Sequence, residues 1–199
     1  MSKRYLSVAE TAKLCRAALK AAFPGVRFSV RSRGAIDVSY VDGPPIAAVE
    51  LVAKRYAGAY FDGMIDYQGS IYHQLDGEPV GILASFVFVK RDLSDAALEA
   101  GVAKAKAAAA WNADKLEVKA NSYSGSLYVD LADGEHHMAA PDRRIMHPAA
   151  AVAAWFDQDR PAAELEPVSL VEADRLQVVG DDGYSRQTGS GWSAVKEAA

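Results

Sequence analysis

The sequence predicts an α+β fold, and three patterns carry that prediction. A capped helix opens the chain, alternating apolar and polar residues follow it directly, and strand patterning returns from Tyr60 onward after a second helix. The order read from these is an αββαββ unit, followed by an alanine-rich helix and a smaller mixed α/β second unit. At 199 residues with 50% hydrophobic composition, the chain is long enough to bury a sizeable core in one domain or two small ones.

The first helix is marked by Ser7 and, three residues on, Glu10, a capping box in which each side chain accepts from an otherwise orphan backbone N–H. Val8, Ala12, Leu14, Cys15, Ala18, Leu19, Ala22 and Phe23 recur at helical spacing and define a buried stripe, while Lys13, Arg16 and Lys20 fall on another face. Pro24 and Gly25 end the helix. Cys15 lies in the apolar stripe and reads as a small buried thiol rather than a nucleophile. As the single cysteine it has no intramolecular disulfide partner, which fits a reducing compartment.

The stretch "FPGVRFSVRSRGAIDVSYVDGPP" reads as a hairpin. Val26, Phe28 and Val30, then Ile36, Val38 and Tyr40, make a dry face that packs on the first helix. Arg27, Ser29, Arg31, Asp37 and Ser39 point the other way, with the turn at Arg33 and Gly34. "VDGPP" then leads Pro45 into a second helix, whose expected core stripe is Ile46, Val49, Val52, Ala53 and Tyr56, with Gly58 as the stop. "YFDGMIDYQGSIYHQL" returns to strand patterning, and "VGILASFVFVKRD" has the length and β-branched or aromatic content of one central strand.

"SDAALEAGVAKAKAAAAWN" predicts an alanine-rich helix acting as a spacer or brace. Beyond it, "KLEVKA" and "GSLYVDLADG" read as two strands, Pro148 starts a short helix ending at Trp155 and Phe156, and "RLQVVGDDGYSRQT" carries an Asp-Gly hairpin signal. The expected division is therefore 1–92 for the first α+β domain, 93–112 for a helical connector and 113–199 for a small second unit.

Charge is uneven along the chain. Up to Tyr40 there are eight basic residues against two acidic ones, a net of +6, and the remaining 14 basic and 24 acidic residues give −10. Such asymmetry points to an electrostatic binding face or to attraction between the two parts. The pI near 5.6 argues against a general nucleic-acid coat protein. No apolar run approaches the roughly 20 residues of a membrane span. The amino terminus lacks the apolar core of a secretory signal, so a cytoplasmic location is expected.

Over about residues 3–92 the chain resembles the large polyvalent protein-associated domain type 29 of phage and conjugative-element proteins. The residues that carry the resemblance are "YLSVAETAKLCRAALKAAFPGVRFSVRSRG", "VSYVDGPP", "FDGMID" and "LDGEPV". The resemblance implies a mobile-element setting, in which such proteins accompany invading DNA and blunt host defences. It implies no catalytic residues.

Lys13, Arg16, Lys20, Arg27, Arg31 and Arg33 are the candidate binding residues. Together they have the charge to track a phosphate backbone. A solvated polar sheet face, or pairing of Arg31 or Arg33 with the acidic second half, are the plainer readings, because the hairpin lacks the aromatic interleaving of an RNA-binding sheet. His136, His137 and His147, with Asp133, Glu135 and Asp142, have metal-ligand residue types. Adjacent histidines on a strand would diverge, however, and no HExxH spacing occurs. Asp62, Asp66, Asp76 and Glu78 are an acidic group set mostly at turns. No glycine-rich phosphate loop is present, and neither a metal nor a cofactor is expected.

The reading that follows is a non-enzymatic accessory protein of a phage, plasmid or integrated element that works by binding. Its expected form is an anti-CRISPR-like counter-defence role, inhibiting a host defence nuclease complex. The alternative is a nucleic-acid-binding module using the basic first helix and hairpin, and a third is a metal-dependent hydrolase at His136 and His137. The expected partner is an acidic macromolecular surface, a host protein complex before nucleic acid, and no membrane.

Overall fold

A computed structural model describes residues 4–168 and 175–184. In chain order the elements are β1 (Arg4–Leu6), α1 (Val8–Ala22), β2 (Ser29–Arg33), β3 (Ala35–Val41), α2 (Ile46–Ala53), β4 (Ala59–Asp62), β5 (Tyr67–Leu75), β6 (Glu78–Ile82) and β7 (Val87–Asp92). There follow α3 (Asp95–Ala107), β8 (Leu116–Ala120), β9 (Leu127–Leu131), β10 (Met138–Ala139), β11 (Ile145–Met146), α4 (Pro148–Asp157), α5 (Ala162–Leu165) and β12 (Leu176–Asp181). Helices and mixed sheets share the chain, and the fold class is α+β as the sequence predicts. The residues group into two compact units, one drawn from Met1–Tyr40, Ile46–Lys90 and Pro167–Ala199, the other from Val41–Pro45 and Arg91–Glu166.

In the first unit the capping box forms as read: the Ser7 N–H donates to Glu10 Oε2 at 2.8 Å and the Glu10 N–H donates back to Ser7 Oγ at 3.2 Å. From there α1 buries Ala12, Cys15, Ala18, Leu19 and Ala22 in a core shared with Val30, Ile36, Val38 and Tyr40 of the hairpin and with Val49, Val52, Ala53 and Tyr56. Ile46 departs from the expected stripe of the second helix, being 41% exposed. As the first residue of α2 it lies before the turn that reaches the core.

Two sheets complete this unit. One runs β1-β6-β5-β12, with β4 also on β5, and the other runs β2-β3-β7. The run expected to be a single central strand is therefore two, β6 in the first sheet and β7 in the second. Between them the Ala84 carbonyl accepts from the Gly58 N–H at 2.8 Å and the Ser85 carbonyl from the Ala59 N–H at 3.0 Å. The link itself holds no proline or glycine; its carbonyls are satisfied by Gly58 and Ala59, and Ala84 is buried. Gly58 is needed for this approach: a Cβ there would sit 2.5 Å from the Ile82 carbonyl oxygen.

The DDGY segment also serves the first unit. β12 pairs antiparallel with β5, Leu176 opposite Leu75, with a register shift between Val178 and Gly180. Leu176 is buried in the same core as α1. Asp182 follows the strand and accepts from the Tyr60 hydroxyl at 2.5 Å, the Tyr67 hydroxyl at 3.0 Å and the Ser70 N–H at 2.7 Å. The second arm of the hairpin expected here lies outside the described residues.

In the second unit, α3 and α4 pack with the β8–β9 hairpin around Leu98, Val102, Ala105, Leu131, Met138, Val152 and Trp155. The alanine-rich helix, read from sequence as a spacer or brace, carries part of this core through Leu98, Val102 and Ala105. Both strands beyond it and the helix from Pro148 form where expected. The turn at 41–45 is held here by charge. Arg91 Nη1 and Nη2 donate to the two Asp157 oxygens at 2.6 and 2.8 Å, and Nη2 also donates to the Asp42 carbonyl. Arg160 Nη1 donates to Asp157, to the Asp42 carbonyl and to the Gly43 carbonyl.

Candidate macromolecule-binding face

The second sheet of the first unit has one dry side and one wet side. Along β3 the residues alternate, with Ile36, Val38 and Tyr40 buried and Asp37 exposed. In β7, Val87 is buried and Val89 packs against the core, which leaves Phe88 and Lys90 on the opposite side, and the half-buried Phe86, the residue before the strand, lies against the Phe88 ring. The register of β2 on β3 sets Ser29 opposite Ser39, Arg31 opposite Asp37 and Arg33 opposite Ala35. The wet face therefore carries Arg31 and Arg33 from β2, with Asp37 between them and Phe88 of β7.

The six candidate residues divide between this face and α1. Arg27, Arg31 and Arg33 are exposed at alternate positions leading into and along β2. Lys13, Arg16 and Lys20 are exposed on α1, which packs against the dry side, so they line a separate helical stripe. The stripes come nearest at β2, the edge strand, where Arg16 Nη2 donates to the Val30 carbonyl at 2.6 Å. That bond occupies a carbonyl at the sheet edge and fixes the guanidinium beside it. Among the described residues, Arg27, Arg31 and Arg33 take part in no salt bridge.

The aromatic members of the face are those sequence reasoning missed. Phe86, the half-buried residue before β7, and Phe88 on it have ring centroids 6.3 Å apart and planes tilted by 40°, and Phe88 is 57% exposed. The alternation in "FVFV" carried the signal. Reading "VGILASFVFVKRD" as one central strand concealed it, because a central strand of a covered sheet carries apolar residues on either face.

Other titratable groups are spread apart. His136 and His137 are exposed in the loop before β10, not on a strand, and His147 instead caps α4, its Nδ1 accepting from the Ala149 N–H at 3.4 Å. Asp62 is buried and its Oδ1 accepts from the Met64 N–H at 3.0 Å. Asp76 is engaged by both Nε and Nη2 of Arg175, which holds its carboxyl below the usual carboxylate range. Among the described residues no group of three or more His, Cys, Asp or Glu side chains is placed to hold a metal ion. No helix among them is long and apolar enough to cross a membrane.

Residues 6–94 match the family model of the large polyvalent protein associated domain 29. The match runs from the end of β1 to the residue before α3, so the polyvalent-protein domain contains the whole basic and aromatic face. The resemblance read from the residues of the first half is borne out over this stretch, and with it the association with phage and mobile-element proteins. No curated protein and no solved structure matches the chain.

Proposed function

We propose that this is a non-enzymatic accessory protein of a phage or other mobile element that acts by binding an acidic macromolecule through the wet face of β2, β3 and β7. The observation that carries the reading is the exposed arginine row of β2, engaged in no salt bridge among the described residues and lying within the polyvalent-protein domain. A charged row already satisfied by its own protein has little to offer a partner, whereas one held apart on a rigid strand attracts opposite charge and speeds its encounter.

In a mobile-element setting, this binding would serve counter-defence by occupying an acidic surface of a host nuclease complex or by engaging nucleic acid directly. Charge supports both, and the exposed ring of Phe88 favours the second. The test is a pull-down from host lysate with and without nuclease treatment, using the intact chain and an Arg31→Glu, Arg33→Glu variant. The reading expects retained material that the variant loses. Equal retention by both proteins would contradict it.

A further inference from the structure

We infer that the acidic partner is single-stranded nucleic acid, its phosphates lying along the β2 arginines and its bases stacking on Phe88 and Phe86. The inference rests on the reading that this face binds. It takes the further step from the chemistry that β7 adds. Phosphate alone is satisfied by Arg31 and Arg33, and such contacts do not distinguish single strands from duplex.

The exposed ring of Phe88, with Phe86 half-buried beside it, changes that. In a duplex the base faces are stacked on one another and present no surface to a ring on a sheet. An unstacked strand offers a π-face at every base, whatever its sequence. One strand, β3, separates the arginines from the rings, a spacing of roughly 10 Å across two strand intervals. Its wet side is small and polar there, Ala35 and Ser39 flanking Asp37, so nothing bulky blocks a chain crossing from one row to the other. Asp37 lies opposite Arg31 and lowers the net charge of the face, which suits a moderate affinity.

An acidic protein surface would meet the same arginines, but it has no repeating flat group to place over the Phe88 ring and its neighbour. Lys90 is exposed on the same side of β7 as Phe88.

The experiment is fluorescence anisotropy of the full chain with a labelled oligo-dT of about 16 nucleotides, within the range of single-strand site sizes, and with a duplex of equal length. The expected result is binding of the single strand in preference to the duplex. Phe88→Ala should weaken it about 5- to 100-fold while Phe88→Tyr retains it. Arg31→Glu with Arg33→Glu should flatten the dependence of log K on log salt by about 0.7 for each phosphate no longer neutralised. Equal affinity for duplex, or unchanged affinity in Phe88→Ala, would overturn the inference. No binding of either probe, alongside a nuclease-resistant host complex that the arginine variant fails to form, would overturn it while leaving the proposed function standing. Absence of both would end the two together.

Discussion

Asp182 shows how much of the first unit hangs on single side chains far apart in sequence. Burial pushes its carboxyl up, but donation from the Tyr60 hydroxyl, the Ser70 N–H and the Tyr67 hydroxyl outweighs this and holds it below the ordinary 3.8. The same interaction raises the Tyr67 phenol. A depressed carboxylate contributes stability that is present above its unfolded value and is lost as pH falls through the folded one. Urea midpoints of the wild type should therefore fall as the pH is lowered through and below the ordinary carboxylate value of 3.8. Glu10 and Asp76 should add to the fall, being lowered by Ser7 and Arg175 respectively. In Asp182→Asn the slope should be shallower and the midpoint at neutral pH lower; an unchanged slope would show that the carboxylate has no such role. Asp157 sets a sterner case. Its side chain and that of Arg91 are only 10% and 4% exposed, so Asp157→Ala would strand a buried guanidinium and should cost the second unit about 3–5 kcal/mol, read from denaturant unfolding. Neither role is legible in the sequence: Asp182 stands out only as part of an Asp-Gly turn, and its Tyr60 partner is 122 residues away.

Elements whose signals are local are the ones the sequence reveals. The capping box, the apolar stripe of α1 and the alternation in the first hairpin each depend on neighbours within a few residues, and each forms where the pattern places it. β6 and β7 depend instead on which sheet each half of one apolar run joins, and nothing within the run records that choice. The three-residue β1 carries no strand signal of its own, since its pairing with β6 reaches across more than 70 residues. Helix α3 is legible as a helix, but not as a core element, because alanine is equally at home in an exposed helix and where two helices pack closely. Gly101 marks that approach: a Cβ there would fall onto the carbonyl of Val152 in α4. Gly101→Ala should lower stability by about 1–3 kcal/mol despite its better helix propensity. A thermal melt at or above that of the wild type would show that the two helices are free to part.

At the scale of the whole molecule, the chain leaves the first unit near Lys90 and returns to it for β12. A fragment of residues 1–92 keeps α1, α2 and β1 to β7, but removes Leu176 from the core and the neighbour of β5. It should melt cooperatively at a lower temperature than this unit does in the full chain. Equal melting would mean that β12 adds nothing to the core it enters. The basic beginning and acidic remainder are plain from composition, and alternation alone singles out the three arginines. Phe88 is legible in the alternation of "FVFV", but its place beside the arginines is not, because β7 joins the sheet from some 50 residues downstream. Whether this face meets an external acidic partner is decided by measuring binding and melting temperature together on the Arg31→Glu, Arg33→Glu variant. Binding should weaken strongly while the melting temperature is nearly unchanged, since exposed charges contribute only about 0–1 kcal/mol to stability. A clear fall in melting temperature with binding intact would contradict this, and would assign these arginines to pairing within the protein itself.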